Sequence, residues 1–376
     1  MPSIEPVKMP KWGLAMEEGR IVEWWAKEGQ SVKEGDDLVD IETTKITNVC
    51  EAPSDGLLRR IVAQPEETLP VGALIAVMAP ADVSDGDIDL FVSEFQQNFI
   101  PEDGTGESAD GPEIRTIDLD GQSYRVGIMD RGQGGTPIVL LHGFGGDLNN
   151  WMLVQPALAE TRPVYALELV GHGQSSKDVG DARLVTLAEK VVAGIDALNI
   201  DQVVLVGHSL GGAVAIAATE RLGSRVEHLG LICPASLPGG HLNADYLDSF
   251  VEARRARDLK EPVSLLFNSA DMISREMLED LVRAKRLDGA KEALTQIKDN
   301  LKGLDPAYQV LGDKLQSIGI PKSILVCRED RIVGVPDEDR LPANANVTWV
   351  DSASHMPHLE HAAETIDHLR SALLSE

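Results

Sequence analysis

The chain has 376 residues, 43% of them hydrophobic, and a net charge of -27. That length predicts two domains, and the charge argues against nucleic-acid binding or docking on an anionic membrane, because both need clustered Lys and Arg. Cys50, Cys233 and Cys327 are far apart and form no Cys-x-x-Cys pair, so neither a disulfide framework nor a metal site is expected. The N-terminus lacks a basic segment followed by an apolar one, and no run approaches the roughly 18 apolar residues of a membrane span. A cytoplasmic protein is the expectation.

Residues 1–80 are short Val/Ile/Leu stretches broken by Gly, Pro and acidic turns, the texture of a small all-β domain. They hide a repeat with an offset of 37 residues. Gly19 matches Gly56, Ile21 matches Leu58, Val32 matches Leu69, Gly35 matches Gly72, Leu38 matches Ile75 and Ile41 matches Met78. Two similar β-units packed as a flattened barrel are predicted, neither able to bury its apolar face alone. Lys45 falls between the units, flanked by Thr43, Thr44 and Thr47. β-Branched neighbours predict two strands meeting in a tight turn with Lys45 at its tip, within reach of a modifying enzyme.

The stretches Val7-Lys8-Met9-Pro10, Gly19-Arg20-Ile21-Val22-Glu23-Trp24, 29–36 and Glu42-Thr43-Thr44-Lys45 resemble the lipoyl domains of 2-oxo-acid and acetoin dehydrogenase complexes. Biotin carrier domains are the competing relatives, but their lysine usually sits between two methionines. Here the neighbours are Thr44 and Ile46. The resemblance therefore implies lipoate, covalently attached to Lys45.

Residues 81–111 shift to Asp, Glu, Gly, Ser and Pro and read as an acidic linker that self-repels and extends. A flexible chain of this length spans roughly 30 Å, enough to let a carrier visit more than one site at high effective concentration. Within it Ile88, Phe91, Phe95 and Phe99 recur at helical spacing. Such a stripe predicts a short amphipathic helix docked on something, and the reading favours the second domain over a partner subunit.

From residue 112 to 376 strands alternate with helices, predicting an α/β sheet covered on both faces. Ile138-Val139-Leu140-Leu141, Val203-Val204-Leu205-Val206, Leu229-Gly230-Leu231-Ile232 and Ile324-Leu325-Val326 read as buried parallel strands, and 187–198 and 213–222 as helices. The strand at 203–206 runs into Gly207-His208-Ser209-Leu210-Gly211-Gly212 and an alanine-rich helix. Strand, sharp turn and helix expose the Ser209 hydroxyl beside a helix N-terminus, the setting of a nucleophile elbow. The candidate acid is Asp330, after a late strand, and the candidate base is His355 near the C-terminus; Glu329 and His358 stand beside them as alternatives. The early His142-Gly143-Phe144-Gly145-Gly146 would supply the Phe144 N–H to an oxyanion hole beside the Leu210 N–H.

These elements resemble α/β-hydrolases, with Glu168 and Cys327 where Asp and Gly are usual. Residues 235–320 form a long helical insertion, the usual place for a lid. Its Arg254, Arg255, Arg257, Lys260, Arg283, Lys285 and Arg286 read either as a solvated surface or as a patch for the phosphates of coenzyme A. Carrier and triad together resemble the dihydrolipoyl acetyltransferase component of acetoin dehydrogenase complexes. That resemblance implies acetyl transfer to coenzyme A in acetoin catabolism. Its implied partners are thiamine-diphosphate-dependent acetoin dehydrogenase subunits and a dihydrolipoyl dehydrogenase; a homo-oligomer is also expected. The same triad would serve a carrier-fused esterase or thioesterase, and a non-enzymatic scaffold is the remaining alternative.

Overall fold

The computed structural model describes residues 4–10, 18–42, 47–99, 111–132, 134–235 and 237–374. The chain divides into two units, Met1–Ser108 and Ala109–Glu376.

The first unit holds β1 (Glu5–Lys8), β2 (Glu18–Trp24), β3 (Ser31–Val32), β4 (Asp37–Glu42), β5 (Thr47–Glu51), β6 (Gly56–Ile61), β7 (Thr68–Pro70) and β8 (Leu74–Ala79). They form two four-stranded sheets, ordered β1-β8-β6-β3 and β5-β4-β2-β7. Replacing each strand by its repeat counterpart converts one order into the other. The repeat in the sequence is therefore a two-fold relation in space, with each sheet drawing strands from both halves. Ile21, Leu38, Ile41, Leu58, Ile75 and Met78, all repeat positions, are buried in one core between the sheets. Gly35 and Gly72 turn the chain at equivalent points with φ of 85° and 80°, where a side chain would be strained. β4 and β5 form a hairpin whose last pair is Glu42 with Thr47. Lys45 belongs to the four-residue connection 43–46, which lies outside the described residues.

After β8 comes α1 (Asp85–Asn98), capped by Ser84, whose Oγ accepts from the Asp87 N–H at 3.2 Å. β8 is buried on both faces. A bulge opposite Val7 and Lys8 turns both Ile75 and Ala76 into the barrel core, while Leu74, Val77 and Ala79 face outward. Ile88, Phe91, Val92 and Phe95 cover that outer face, and Arg59 and Arg60 reach Asp85 and Asp89 of the helix. The apolar stripe thus docks on the barrel of its own unit, a correction to the expected dock on the second domain. A strand with apolar residues on both faces left a surface that only a neighbouring element could cover. Of the expected linker, residues 100–110 lie outside the described residues.

The second unit is built on β9 (Glu113–Leu119), β10 (Gln122–Met129), β11 (Ile138–Leu141), β12 (Val164–Leu167), β13 (Val203–His208), β14 (Val226–Ile232), β15 (Lys322–Cys327) and β16 (Ala345–Val350). Their order is β16-β15-β14-β13-β11-β12-β10-β9. Pairing is parallel from β16 to β12, and antiparallel where β10 meets β12 and β9. Every residue of β11, β13 and β15 is buried, as expected of strands covered on both sides. The helices are α2 (Gln155–Leu158), α3 (Leu184–Ala197), α4 (Leu210–Leu222), α5 (Ala244–Glu252), α6 (Ala256–Ser264), α7 (Arg275–Arg286), α8 (Ala290–Asp299), α9 (Leu311–Ser317), α10 (Pro357–Glu360) and α11 (Ala362–Leu374). Helices α5 to α9 fill the insertion between β14 and β15. Among the described residues no helix is long and apolar enough to cross a membrane.

Candidate active site

Ser209 sits between β13 and α4 with φ 53° and ψ -117°, a conformation costly for a residue with a Cβ. Its neighbours make the turn possible. A Cβ on Gly207 would lie 2.3 Å from the Gly211 carbonyl oxygen, and one on Gly211 would lie 2.3 Å from that of Leu141. Only glycine allows the helix to start this close to the strands. The turn holds Ser209 at the C-terminal end of the parallel sheet, where its backbone accepts from Ala213 and Ala235 N–H groups.

His355 follows β16, and its Nδ1 donates to Asp330 Oδ2 at 2.8 Å. The other Asp330 oxygen accepts from the Ile332 and Val333 N–H groups at 2.8 and 2.9 Å. Burial pushes the Asp330 carboxyl up, but His355 and these two donors outweigh it and hold the acid below its ordinary range. An ionised acid fixes Nδ1 as the protonated nitrogen of a neutral His355 and leaves Nε2 able to accept a proton. Of the alternatives, Glu329 is exposed and accepts from Asn268 Nδ2 at 2.9 Å. His358 is buried against Trp151 and His208, with ring centroids 5.0 and 4.5 Å away, and burial drives it down to about 3. The geometry joins Asp330, not Glu329, to His355.

Ser209, His355, Phe144 and Leu210 open on one cavity of about 490 Å3. Its walls are mostly apolar and come largely from the lid, including Tyr246, Phe250, Phe267, Met277 and Leu281. Leu210 is the first residue of α4, so its N–H faces the helix's unpaired N-terminal end. On the other side, the turn 143–146 leaves β11 with Gly145 at φ 74°. His142 locks that turn, because Nδ1–H donates to the Gly143 carbonyl at 2.8 Å while Nε2 accepts from the Leu169 N–H at 3.0 Å. Burial lowers His142 to about 4, which keeps this arrangement neutral.

The two departures from common hydrolase forms have structural accounts. Glu168 is fully buried, its Oε2 accepting from the Gln174 and Ser175 N–H groups at 2.7 Å each. Its longer side chain fits because position 173 is glycine, where a Cβ would fall 2.0 Å from Glu168 Oε1. Cys327 places its sulfur 3.4 Å from that of Cys233. Both thiols are buried, that of Cys233 beside the Asp330–His355 pair, and burial followed by the Cys327 contact pushes the Cys233 thiol well up, so it stays protonated. Among the basic lid residues, Lys285 is committed to the Phe250 and Ala253 carbonyls and Arg283 to Asp280, whereas Arg254, Arg255 and Arg257 are exposed. The sequence reading did not single out His208, Cys233 or Phe250. Position 208 inside the serine motif was the one available signal; the other two emerge only from tertiary packing.

Comparison with known proteins agrees with both units. Residues 138–368 match the alpha/beta hydrolase family and residues 5–78 the family described as biotin-requiring enzyme. The dihydrolipoyllysine-residue acetyltransferase component of the acetoin cleaving system of Pseudomonas putida is 40% identical over 100% of this chain and 99% of its own. That of Cupriavidus necator is 39% identical over 96% and 95%. A meta-cleavage product hydrolase from Pseudomonas fluorescens shares the fold of the second unit, with a TM-score of 0.60, 19% identity, and coverage of 69% of this chain and 97% of its own. The chain carries an α/β-hydrolase domain behind a lipoyl-type carrier domain, and it belongs to the family of dihydrolipoyllysine-residue acetyltransferase components of acetoin cleaving systems.

Proposed function

We propose that the protein transfers an acetyl group from dihydrolipoyl-lysine to coenzyme A through Ser209, His355 and Asp330, in acetoin catabolism. The observation that carries this reading is the His355–Asp330 pair opening with Ser209 onto an apolar cavity, in a chain that also bears a lipoyl-type carrier. The paired ends of β4 and β5 leave a four-residue connection containing Lys45, which fits a single covalently held lipoyl group. That group supplies the acetyl unit as a thioester.

His355 Nε2 takes the Ser209 hydroxyl proton as Oγ attacks the thioester carbonyl carbon. The Phe144 and Leu210 N–H groups hold the resulting oxyanion. Collapse breaks the carbon–sulfur bond, and His355 returns the proton to the leaving thiolate. The coenzyme A thiol then gives its proton to His355 and attacks the acetyl-serine carbonyl. A second collapse forms acetyl-CoA, and Ser209 Oγ recovers the proton. Asp330 stays ionised throughout and stabilises the imidazolium. The apolar lid limits the water that would divert acetyl-serine to acetate. Arg254, Arg255 and Arg257 are among the exposed lid cations and would serve the phosphates of coenzyme A.

The upstream partner is a thiamine-diphosphate-dependent acetoin dehydrogenase and the downstream one a dihydrolipoyl dehydrogenase, with the chain acting as a cytoplasmic homo-oligomer. Incubating the acetylated holoprotein with coenzyme A tests the central step. Acetyl-CoA that disappears in Ser209→Ala supports transfer. Release of acetate alone would make the protein a thioesterase, and unchanged acetyl-CoA formation in Ser209→Ala would sink the serine mechanism.

A further inference from the structure

The turn that would carry the Phe144 donor is not supported by the sheet alone. Phe250, on α5 of the lid, is only 2% exposed and points the tip of its ring at Gly145. A Cβ on Gly145 would fall 2.4 Å from Phe250 Cζ and 2.6 Å from Cε1, so the ring rests directly on the glycine. The Phe144 ring stands edge-on to Phe250, with centroids 5.8 Å apart, and on its other side to His172 at 6.0 Å. Behind the ring, Lys285 of α7 closes the end of α5. Its ammonium lies 4.9 Å from the Phe250 ring centroid and donates to the Phe250 and Ala253 carbonyls. One contiguous path therefore runs from α7, through the end of α5, to the oxyanion turn.

We infer that Phe250 is a positioning residue through which the lid sets the Phe144 N–H, so the oxyanion hole is complete only when α5 is seated. The inference rests on the acetyl-serine mechanism proposed above. An oxyanion donor acts only if it sits within a few tenths of an ångström of its working place, and His142 holds the turn only at Gly143, while the positive-φ Gly145 that follows Phe144 has no side chain of its own to fix it. A rigid ring against that glycine removes its freedom. It also ties chemistry to lid closure, since an open lid would leave Ser209 without one of its two donors and limit wasteful hydrolysis.

The test uses the full-length lipoylated protein and the variants Phe250→Leu, Phe250→Tyr, Gly145→Ala and Gly145→Ala/Phe250→Leu. Leucine is too short to reach the glycine, and the tyrosine hydroxyl would project into it. In variants that remain folded by thermal melting, kcat should fall by about ten- to a hundredfold while KM for coenzyme A stays within about twofold. Affinity for a trifluoromethyl ketone, which adds to Ser209 and places an oxyanion in the same hole, should fall in proportion to kcat. The Gly145 and Phe250 effects should be non-additive, because the leucine makes room for the alanine. Folded Phe250 variants with parental kcat, a ketone affinity that does not follow kcat, or strictly additive effects would each overturn the inference. A Ser209→Ala protein that still makes acetyl-CoA would instead remove the serine mechanism itself, and with it the need for the hole.

Discussion

The ring nitrogen Nε2 of His208 lies 2.8 Å from the backbone carbonyl oxygen of His355. A carbonyl can only accept, so His208 carries its proton on Nε2, and its Nδ1 faces the Gly143 side of the oxyanion turn. The residue preceding the candidate nucleophile thereby fixes the backbone of the candidate base. His208→Leu should fold and retain its KM values, with kcat lowered about tenfold because the His355 backbone loses its tether. Steady-state kinetics on folded protein check this, and an unchanged kcat would reduce the contact to packing.

Asp330 and Glu329 are adjacent in sequence and opposite in environment. Asp330→Asn should lower kcat by about 10³–10⁴-fold by leaving His355 in the wrong tautomer, whereas Glu329→Gln should stay within about twofold of the parent. If both variants behaved alike, the assignment of the acid would be wrong.

Lys45→Arg keeps the charge but removes the primary amine needed for an amide to lipoate. Intact mass should show no lipoyl increment, and acetyl transfer driven by the upstream enzyme should stop. Transfer from free acetyl-dihydrolipoamide to coenzyme A should persist, because Ser209 and its partners are untouched. Loss of both activities would mean that Lys45 serves the second domain directly.

Acid should weaken the fold through buried histidines. His142, His228 and His368 are lowered to about 4 and His358 to about 3, in each case chiefly by burial. Above the ordinary histidine value near 6.5 both folded and unfolded forms are neutral, so nothing is lost. Below it the unfolded chain binds protons that the folded one refuses. Stability therefore falls from about pH 6.5 down through pH 4, by on the order of several kcal/mol in total. His358→Phe keeps the ring packing on Trp151 and removes two nitrogens that have no hydrogen-bond partner among the described residues. The variant should match the parent at pH 7.5 and melt higher than it at pH 5.

Ile88 is fully buried where α1 meets β8. Ile88→Ala should cost the carrier domain about 2–5 kcal/mol, measured by denaturant unfolding of the isolated residues 1–99. A carrier ending at Pro80 should melt below one ending at Phe99, since Leu74, Val77 and Ala79 would face water.

Periodicity carried the fold a long way. The 37-residue offset foretold the paired β-units, because equivalent glycines and core residues must recur where equivalent turns and strands do. The strands β11, β13, β14 and β15 were visible as apolar runs too short for helices. What stayed hidden depended on direction rather than spacing. The stripe of Ile88, Phe91 and Phe95 showed that α1 must dock, but not that β8 was apolar on its outer face as well. Glu329 and Asp330 differ by one position, and only the turn after β15 decides which faces inward. Lys285 and Arg283 looked like surface cations, yet Lys285 caps the end of α5 and Arg283 pairs with Asp280 on its own helix. Phe250 carried no motif at all, since its partner Gly145 is more than a hundred residues away.

The exchange of strands between the two halves of the carrier bears on how such an object can come into being. Since β2 and β4 share a sheet with β5, while β6 and β8 share one with β1, neither half owns a complete layer. A half-length chain would expose an unpaired sheet edge and an apolar face, and its natural remedy is a second identical chain. The same architecture could thus be assembled from two separate copies of one peptide of half the length, the connection between them being a convenience of covalent linkage. In the single chain that connection contains Lys45, so a lipoyl group held as proposed would be attached at the seam where two separate copies would have been joined.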